Sequence, residues 1–282
     1  MITNRMKVAI IGATGSIGQE LLINLLKRKF NIVATYNKNY KIVDIFPKVE
    51  WKKLDIKINK KNYFKFLGSP DIIVNLAWPD IPNYKLKNHF KTFYYQKRLN
   101  YNLIKNGLKN LIILGTCYEY GKKNGKISEK MKAQPVVPYA IAKLKLLESI
   151  LVLKKKKNFK FTWLRPFFVY GKNKKRKTLF SLINEFDKKK ITKLNVCGSL
   201  IRDFISINFL SLTIIKIILL YKDFGVINVC SGKGTLLKNF IKKHLKIKKN
   251  IKKINMDGKN PNDFESNSFW GDNSKLKKIT LL

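Results

Sequence analysis

A tyrosine and a lysine lie four residues apart in the segment Pro138-Tyr139-Ala140-Ile141-Ala142-Lys143. If this segment is helical, the two side chains lie on one face of the helix, one turn from each other. A free tyrosine titrates at about pH 10, so it exchanges protons poorly at neutral pH unless its pKa is lowered. A lysine ammonium beside it favours the phenolate and lowers that pKa. Because lysine is abundant in this chain, the pair indicates chemistry only if a dinucleotide site and a hydroxyl residue precede it.

A glycine-rich turn near the start of the chain supplies the dinucleotide site. The apolar run 6–11 predicts a buried parallel strand and leads directly into Gly12-Ala13-Thr14-Gly15-Ser16-Ile17-Gly18. The next stretch, 19–29, carries leucines at helical spacing. A strand, a glycine turn and a helix N-terminus together form a cradle for a pyrophosphate. The alternative is a plain strand-to-helix turn that happens to be rich in glycine.

The end of the second predicted strand, 30–36, bears on the choice of cofactor. An NAD site usually has an acidic residue there, which accepts hydrogen bonds from the adenosine ribose. This strand instead leads into Asn37 and Lys38. Lys38, with help from Arg28, is placed to neutralise a ribose phosphate, whereas Asn37 could hold a bare ribose. The sequence therefore favours NADP(H), with NAD(H) as the alternative.

Further apolar runs at 71–77 and 111–116 predict two more buried strands, and helical stretches alternate with all of these strands. This order predicts an α/β protein with a doubly wound parallel sheet, a Rossmann fold, whose ligands lie at the carboxyl ends of the strands. Leu76, Ala77 and Thr116 come at two such ends. Asp55 and its neighbour Ile56 follow the third strand and are candidates for the adenine edge, although Asp55 could equally be a solvated loop residue.

Several further segments, taken in order, carry a family resemblance. With Gly12-x-x-Gly15-x-x-Gly18 and Tyr139-x-x-x-Lys143, the chain resembles the extended short-chain dehydrogenase/reductase family, in its NAD-dependent epimerase/dehydratase group. The other matching segments are Asn75-Leu76-Ala77, Thr116-Cys117-Tyr118-Glu119-Tyr120-Gly121, Leu164-Arg165-Pro166-Phe167-Phe168-Val169-Tyr170-Gly171, Arg202-Asp203-Phe204-Ile205 and Asn228-Val229-Cys230-Ser231-Gly232-Lys233. Their order and approximate spacing hold over nearly the whole chain.

The resemblance implies a role for each of four residues. Tyr139 is the general acid/base, and Lys143 lowers its pKa and binds the nicotinamide ribose. Thr116 binds the reacting oxygen; its alternative role is to cap backbone at a strand end. Arg202 grips the diphosphate of a nucleotide sugar, a task that suits its planar fork of donors. Its alternative role is a surface ion pair with Asp203.

The segment after Thr116 bears on the reaction. Sugar 4,6-dehydratases of this family carry Thr-Asp-Glu, where this chain has Thr116-Cys117-Tyr118. Glu119 is one place too late to replace the glutamate, so a dehydratase is disfavoured, and Cys117 and Tyr118 become candidate substrate contacts. A reductase acting on a nucleotide-linked 4-keto-6-deoxy sugar is the main hypothesis. The alternative is a nucleotide-sugar 4-epimerase that retains its NAD.

The chain of 282 residues suits two units. We predict an NAD(P)-binding domain over residues 1–171 and a small C-terminal substrate-binding lobe over 172–282. Within the lobe, residues of about 200–221 are expected to pack back on the first domain. The resemblance also implies a homodimer formed by helices over Asn88 to Lys105 and Tyr139 to Leu153.

The charge is extreme, with 59 Lys and Arg against 17 Asp and Glu and a formal net charge of +42. Taken alone, this would suggest an RNA-associated or non-catalytic dinucleotide-binding protein. Arginine is scarce, however, and the lysines are spread along the chain, with short runs at 154–157, 172–177 and 246–253. We therefore predict no specific nucleic acid partner, although nonspecific binding of polyanions is expected at low salt.

Few residues suggest a metal, a disulfide or a membrane segment. The three cysteines are far apart, and His89 and His244 are isolated, so we predict no metal and assign neither histidine a catalytic role. The apolar stretch 204–221 is interrupted by polar residues and predicts a strand and a buried helix rather than a membrane span. The first strand begins too early to leave room for a signal peptide. The expectation is a cytoplasmic protein with no membrane partner.

Overall fold

The computed structural model describes residues 6–38, 41–171 and 178–281. The inner strands of its large sheet follow apolar runs of the sequence, as expected for parallel strands covered on both faces, whereas the edge strand at 50–53 is mostly charged. They are β1 (Lys7–Ile11), β2 (Asn31–Tyr36), β3 (Glu50–Lys53), β4 (Ile72–Asn75), β5 (Asn110–Leu114), β7 (Lys160–Pro166) and β12 (Gly225–Val229). Their order in the sheet is β12-β7-β5-β4-β1-β2-β3, and every pair is parallel.

Helices cover both faces of this sheet. They are α1 (Ser16–Leu26), α2 (Ile42–Ile45), α3 (Tyr63–Phe66), α4 (Asn88–Lys105), α5 (Pro138–Lys156) and α7 (Ile207–Leu220). Successive residues of a strand point to opposite faces, so Val8 and Ile10 pack in the core beneath α1 and α7, whereas Ala9 and Ile11 pack beneath α4 and α5. The prediction of an α/β fold with a doubly wound parallel sheet is confirmed.

Smaller sheets lie beside the large one. Their strands are β6 (Gly125–Ile127), β8 (Phe168–Tyr170), β9 (Leu194–Asn195), β10 (Ile201–Arg202), β11 (Phe204–Ser206), β13 (Thr235–Leu236), β14 (Ile254–Asn255) and β15 (Ser268–Gly271). The strand orders are β13-β10-β15-β6, β11-β8 and β14-β9. A separate apolar cluster joins α6 (Leu179–Asp187) to α8 (Leu237–His244), and α9 (Ser274–Thr280) follows β15.

The stretch 204–221 forms a strand and a buried helix, β11 and α7, as its sequence predicts. Asn24 of α1 donates hydrogen bonds to Asn208 and Ser211 of α7, which joins the two helices. The following strand, β12, completes the large sheet beside β7. The predicted domain boundary after Gly171 and the lysine run 172–177 lie outside the described residues.

Candidate functional site

The glycine turn packs against backbone on two sides. Gly12 has a φ of +86°, which favours glycine, and a Cβ placed on it would lie 2.8 Å from the Ala77 Cα. A Cβ on Gly18 would lie 2.6 Å from the Ala13 Cα. Larger side chains at these two positions would therefore push the turn away from the end of β4 and α1 away from β1.

The start of α1 faces open space. Gly15 is the N-terminal cap of this helix, and its added Cβ would meet only the Gly12 oxygen, at 3.4 Å. The helix begins at Ser16 without a side-chain cap and without an acidic residue in its first turn. The first N–H groups of a helix have no partner within it and attract anions. This helix start fits the pyrophosphate of a dinucleotide.

The other predicted residues of the turn have supporting positions. The Thr14 carbonyl accepts a hydrogen bond from the Gln19 side chain at 2.8 Å, which fixes the turn onto the first turn of α1. Ile17 is half-buried and packs against the core beneath α1. Of the predicted set, Gly15 and Ser16 have the geometry to approach a phosphate, whereas Ile17 anchors the helix.

The residues predicted for the adenosine end lie after β2 and β3. Asn37 and Lys38 are exposed directly after β2. The Asp55 carboxylate accepts a hydrogen bond from the Lys57 backbone at 2.9 Å, and the Ile56 carbonyl accepts one from Arg98 at 2.9 Å. Asp55 therefore caps its own loop in this structure.

The end of β4 is held by buried amides. The Asn75 side chain donates to the Gln96 and Asn100 side chains at 2.7 and 3.2 Å, and Gln96 donates to the Ala77 carbonyl at 2.7 Å. The Leu76 backbone continues the pairing by donating to the Ile11 carbonyl at 2.8 Å. This network fixes the chain at Leu76 and Ala77, beside the glycine turn.

The three predicted catalytic side chains come together at the carboxyl end of β5. Thr116 follows that strand, while Tyr139 and Lys143 lie one turn apart near the start of α5, and all three are buried. The Thr116 hydroxyl lies beside the Tyr139 phenol, and its interaction with the phenol acts to lower the pKa of Tyr139. The Lys143 ammonium donates to the Leu114 carbonyl at 2.5 Å.

Thr116 also has the role considered as its alternative. Its hydroxyl oxygen accepts a hydrogen bond from the Tyr118 backbone at 3.3 Å and so caps the short 3₁₀ helix Cys117–Tyr120. The same hydroxyl also acts on the Tyr139 phenol. Thr116 therefore orders the backbone and lies beside that phenol.

Burial controls the titration of the tyrosine and the lysine. It raises the pKa of Tyr139 well above its ordinary value, and the Thr116 hydrogen bond opposes that rise. It also lowers the pKa of Lys143 to about 7, while the Glu119 carboxylate opposes that fall. The expected lowering of the Tyr139 pKa is thus absent here, because loss of solvation outweighs the nearby charges. Tyr139 is a neutral phenol, the form that donates a proton.

An aromatic wall surrounds Tyr139 and was not anticipated from the sequence. The rings of Trp78, Tyr84 and His89 lie 6.0, 5.3 and 5.3 Å from the Tyr139 ring. The Trp78 indole donates to the His89 Nδ1 at 3.1 Å, so the His89 Nε2 carries the proton and donates to the Asn83 carbonyl at 2.9 Å. The position of Trp78, directly after the end of β4, was the only signal available in the sequence.

Glu119 points away from the site and into the core. Its carboxylate accepts hydrogen bonds from Arg165 at 2.7 Å, from the Trp163 indole at 3.0 Å and from the Thr116 backbone at 2.9 Å. It therefore cannot replace the acid that a dehydratase needs. Cys117 also lies in an apolar cluster, with Ile127 among its members, and burial raises the pKa of its thiol well above the usual range.

Tyr118 and Arg202 line a small cavity of about 10 Å³, which has room for no more than about one water molecule. Glu265 joins them: its carboxylate accepts from the Tyr118 hydroxyl at 2.6 Å and from the Arg202 guanidinium at 2.8 and 3.2 Å. The other lining residues are Gly121, Phe168, Phe264, Ser266 and Phe269. Sequence reasoning missed Glu265, which lies 63 residues beyond Arg202 along the chain.

The surface ion pair considered for Arg202 and Asp203 does not form. Arg202 is buried and pairs with Glu265 instead. The Asp203 carboxylate accepts hydrogen bonds from the backbones of Ser231 and Gly232 at 2.7 and 2.9 Å. The two neighbouring charges thus have separate partners, because successive residues of an extended chain point in opposite directions.

The described residues, 6–38, 41–171 and 178–281, contain no group of three or more His, Cys, Asp or Glu side chains arranged to hold a metal ion. No helix among them combines the length and the apolar composition needed to cross a membrane.

Comparison with known proteins agrees with this geometry. The chain is 27% identical over 262 residues to the dTDP-6-deoxy-L-talose 4-dehydrogenase (NAD(+)) of Aggregatibacter actinomycetemcomitans, an alignment that covers 86% of this chain and 93% of the relative. A UDP-N-acetylglucosamine 4-epimerase from Bacillus cereus has a similar fold, with a TM-score of 0.82, 18% identity, and 98% of this chain and 90% of that one covered. A UDP-glucuronic acid 4-epimerase from Bacillus cereus, solved in complex with NAD, gives a TM-score of 0.78 at 22% identity, with 98% and 90% covered.

Residues 8–223 match the description of the NAD dependent epimerase/dehydratase family. This match covers the glycine turn, the catalytic trio and Arg202, and it confirms the resemblance inferred from the ordered motifs. The chain therefore belongs to the NAD-dependent epimerase/dehydratase family, within the extended short-chain dehydrogenase/reductase group.

Proposed function

We propose that this protein is an oxidoreductase that interconverts a ketone and an alcohol at carbon 4 of a nucleotide-linked 6-deoxy sugar, most directly by reducing the 4-keto form. The observation that carries the proposal is the contact of the Tyr139 phenol with the Thr116 hydroxyl, one turn from Lys143. The similarity to the Aggregatibacter actinomycetemcomitans enzyme, a 4-dehydrogenase of a dTDP-linked 6-deoxy sugar, supports the substrate class.

In this proposal Thr116 and Tyr139 orient the substrate carbonyl, and Tyr139 transfers the proton. The Thr116 hydroxyl is placed to bind the substrate oxygen together with Tyr139, which orients the carbonyl. The Tyr139 phenol donates its proton to that oxygen as the carbon is reduced, and in the oxidative direction the phenolate takes the proton back. When bound, the nicotinamide cofactor supplies or accepts the hydride. Gly15 and Ser16 would hold its pyrophosphate, and Lys143 would hold the ribose beside the nicotinamide.

The states of Tyr139 and Glu119 bear on the reaction. Burial raises the pKa of Tyr139, so the phenol keeps its proton at neutral pH, while its interaction with Thr116 favours release of that proton. Glu119 is committed to Arg165 and Trp163 and offers no second acid or base for removing water from the sugar. Reduction or oxidation needs neither.

The preferred dinucleotide is part of the proposal. No carboxylate occurs at the end of β2, Tyr36, or in Asn37 and Lys38 directly after it, and Lys38 is exposed. We propose NADP(H) on this basis, with NAD(H) as the alternative, which the similarity to the NAD(+)-dependent Aggregatibacter actinomycetemcomitans enzyme favours.

A nucleotide-sugar 4-epimerase with retained NAD is the second candidate, because it needs the same three catalytic side chains. The solved epimerases share the fold with this chain. The experiment is to incubate the purified protein with NADPH or NADH and a panel of nucleotide-linked 4-keto-6-deoxy sugars, beginning with dTDP-linked ones. Stoichiometric oxidation of the cofactor with formation of a new deoxysugar supports the reductase. A changed sugar without net oxidation identifies the epimerase instead.

The proposed partner is a second copy of the chain. Helices α4 and α5 pack against each other, and exposed apolar side chains remain on both: Tyr94, Tyr101, Leu151 and Val152. Sedimentation at several concentrations tests this homodimer. Cytoplasmic location stays a prediction from the sequence.

A further inference from the structure

A short segment near the C-terminal end of the chain packs over Tyr118 and Arg202, beside the small cavity that they line. This strap, residues 260–267, lies between β14 and β15. Its Asp263 forms an exposed ion pair with Lys85 at 3.0 Å, and its Phe264 ring lies 6.0 Å from Tyr84 and 5.5 Å from Tyr118. Tyr84 in turn contacts Tyr139 through its ring and its backbone. The strap therefore contacts Tyr118 directly and adjoins the Tyr139 ring through Tyr84.

The strap also accepts most of the hydrogen bonds that Arg202 donates. A guanidinium has five N–H donors. Two of those of Arg202 point to the Glu265 carboxylate, at 2.8 and 3.2 Å, and two more point to the backbone carbonyls of Ile201 and Asn267, at 2.9 and 3.2 Å. One donor remains, whereas a bidentate grip on a phosphate needs two parallel ones. In this conformation Arg202 cannot present its fork to a substrate.

The Glu265 carboxylate is surrounded by hydrogen-bond donors, as a bound anion would be. One carboxylate oxygen accepts from the Tyr118 hydroxyl at 2.6 Å and from the Asn262 side chain at 2.7 Å, and the other faces Arg202. Both members of the ion pair are buried, with 4% of the Arg202 side chain and 8% of the Glu265 side chain exposed. A buried charge that loses its partner is strongly destabilised, so Arg202 can release Glu265 only to another anion.

We propose that Glu265 is a displaceable stand-in for the diphosphate of the substrate, and that the strap leaves Arg202 when a nucleoside diphosphate group binds. The inference rests on the proposed function, because it takes the substrate to be diphosphate-linked. The incoming diphosphate replaces one anion with another at Arg202. The affinity for the diphosphate is therefore reduced by the fraction of molecules in which the strap is closed.

The test measures binding of UDP and of dTDP by calorimetry to the full-length wild type and to Glu265→Gln. The amide keeps the shape of the carboxylate but removes its charge, so competition for Arg202 weakens. We expect a dissociation constant lower by roughly tenfold, equivalent to about 1.4 kcal/mol. Asp257→Asn, an exposed site just before the strap, makes the same change in net charge and should leave the constant nearly unchanged. Weaker or equal binding by Glu265→Gln, or no binding by either protein, overturns the proposal, since Glu265 would then orient Arg202 rather than compete for it.

A second variant covers the case in which Glu265→Gln does not fold. Tyr118→Phe keeps the ring contacts and removes one of the donors that hold Glu265. It should tighten binding of the nucleoside diphosphates by a few fold, in the same direction as Glu265→Gln, and unchanged or weaker binding contradicts the strap. Thermal melting of each variant confirms the fold. Because these probes carry no sugar and undergo no redox change, failure of the sugar panel leaves their result intact, and the reverse also holds.

Discussion

The ammonium group of Lys143 lies 4.0 Å from the centre of the Trp78 ring, and the same nitrogen donates to the Leu114 carbonyl. The indole is itself fixed by its hydrogen bond to His89. A cation held over an aromatic face and bonded to one carbonyl is pinned in place, although it is poorly solvated. Lys143 is therefore held in a fixed position but loses its contact with water, and this burial lowers its pKa to about 7.

The first prediction concerns pH and stability without cofactor. The pKa of Lys143 is lowered from 10.5 to about 7, so between these values the unfolded chain binds a proton here that the folded chain does not. Stability rises with pH wherever the unfolded state binds more protons. The free energy of unfolding of the wild type should therefore increase relative to that of Lys143→Met as the pH rises from about 7 to about 10. Urea denaturation of both proteins across this range measures it, and a difference that does not vary with pH contradicts the lowered pKa.

The second prediction concerns proton transfer. Tyr139→Phe removes the phenolic hydroxyl and keeps the ring that packs against Trp78, Tyr84 and His89. We expect kcat to fall by about 10²–10⁴, the usual contribution of a positioned acid or base. The dissociation constant of the cofactor, measured by fluorescence titration, should stay close to that of the wild type. Full activity in this variant would remove Tyr139 from the mechanism.

A third prediction separates the two roles of Thr116. Thr116→Val removes the hydroxyl that caps the 3₁₀ helix and contacts Tyr139, so both stability and turnover should fall. The lost cap should reduce the free energy of unfolding by about 1 kcal/mol. Thr116→Ser restores the hydroxyl and should recover most of the stability and of kcat/KM. If valine keeps the stability and the activity and serine loses them, the methyl group rather than the hydroxyl matters at this position.

The fourth prediction concerns the choice of dinucleotide. Lys38→Ala should lower kcat/KM with NADPH by roughly tenfold and leave kcat/KM with NADH nearly unchanged, since only NADPH carries the extra phosphate that a nearby lysine stabilises. Lys41→Ala removes an exposed lysine three residues away and serves as the control for a general loss of positive charge. A wild type that prefers NADH, with no response to either change, would assign the protein to NAD(H).

Features set by neighbouring residues could be predicted from the sequence. The glycine turn, the strand and helix on either side of it, and the one-turn spacing of Tyr139 and Lys143 depend on backbone geometry over a few residues. The order of strands and helices also predicts the sheet, because parallel strands need helical crossovers. The meeting of Thr116 with Tyr139 follows from that order, since both lie near the carboxyl ends of strands.

Tertiary structure alone decided the rest of the site. Glu265 reaches Arg202 only because β10 pairs with β15, and Trp78 covers Lys143 only because α4 brings His89 beneath it. Glu119 is drawn into the core by Arg165 and Trp163, far from it in sequence. Local spacing determines which side chains share a face of one element. Contacts between distant elements depend instead on how those faces pack and on which buried charges find partners, and no short segment of the sequence contains that information.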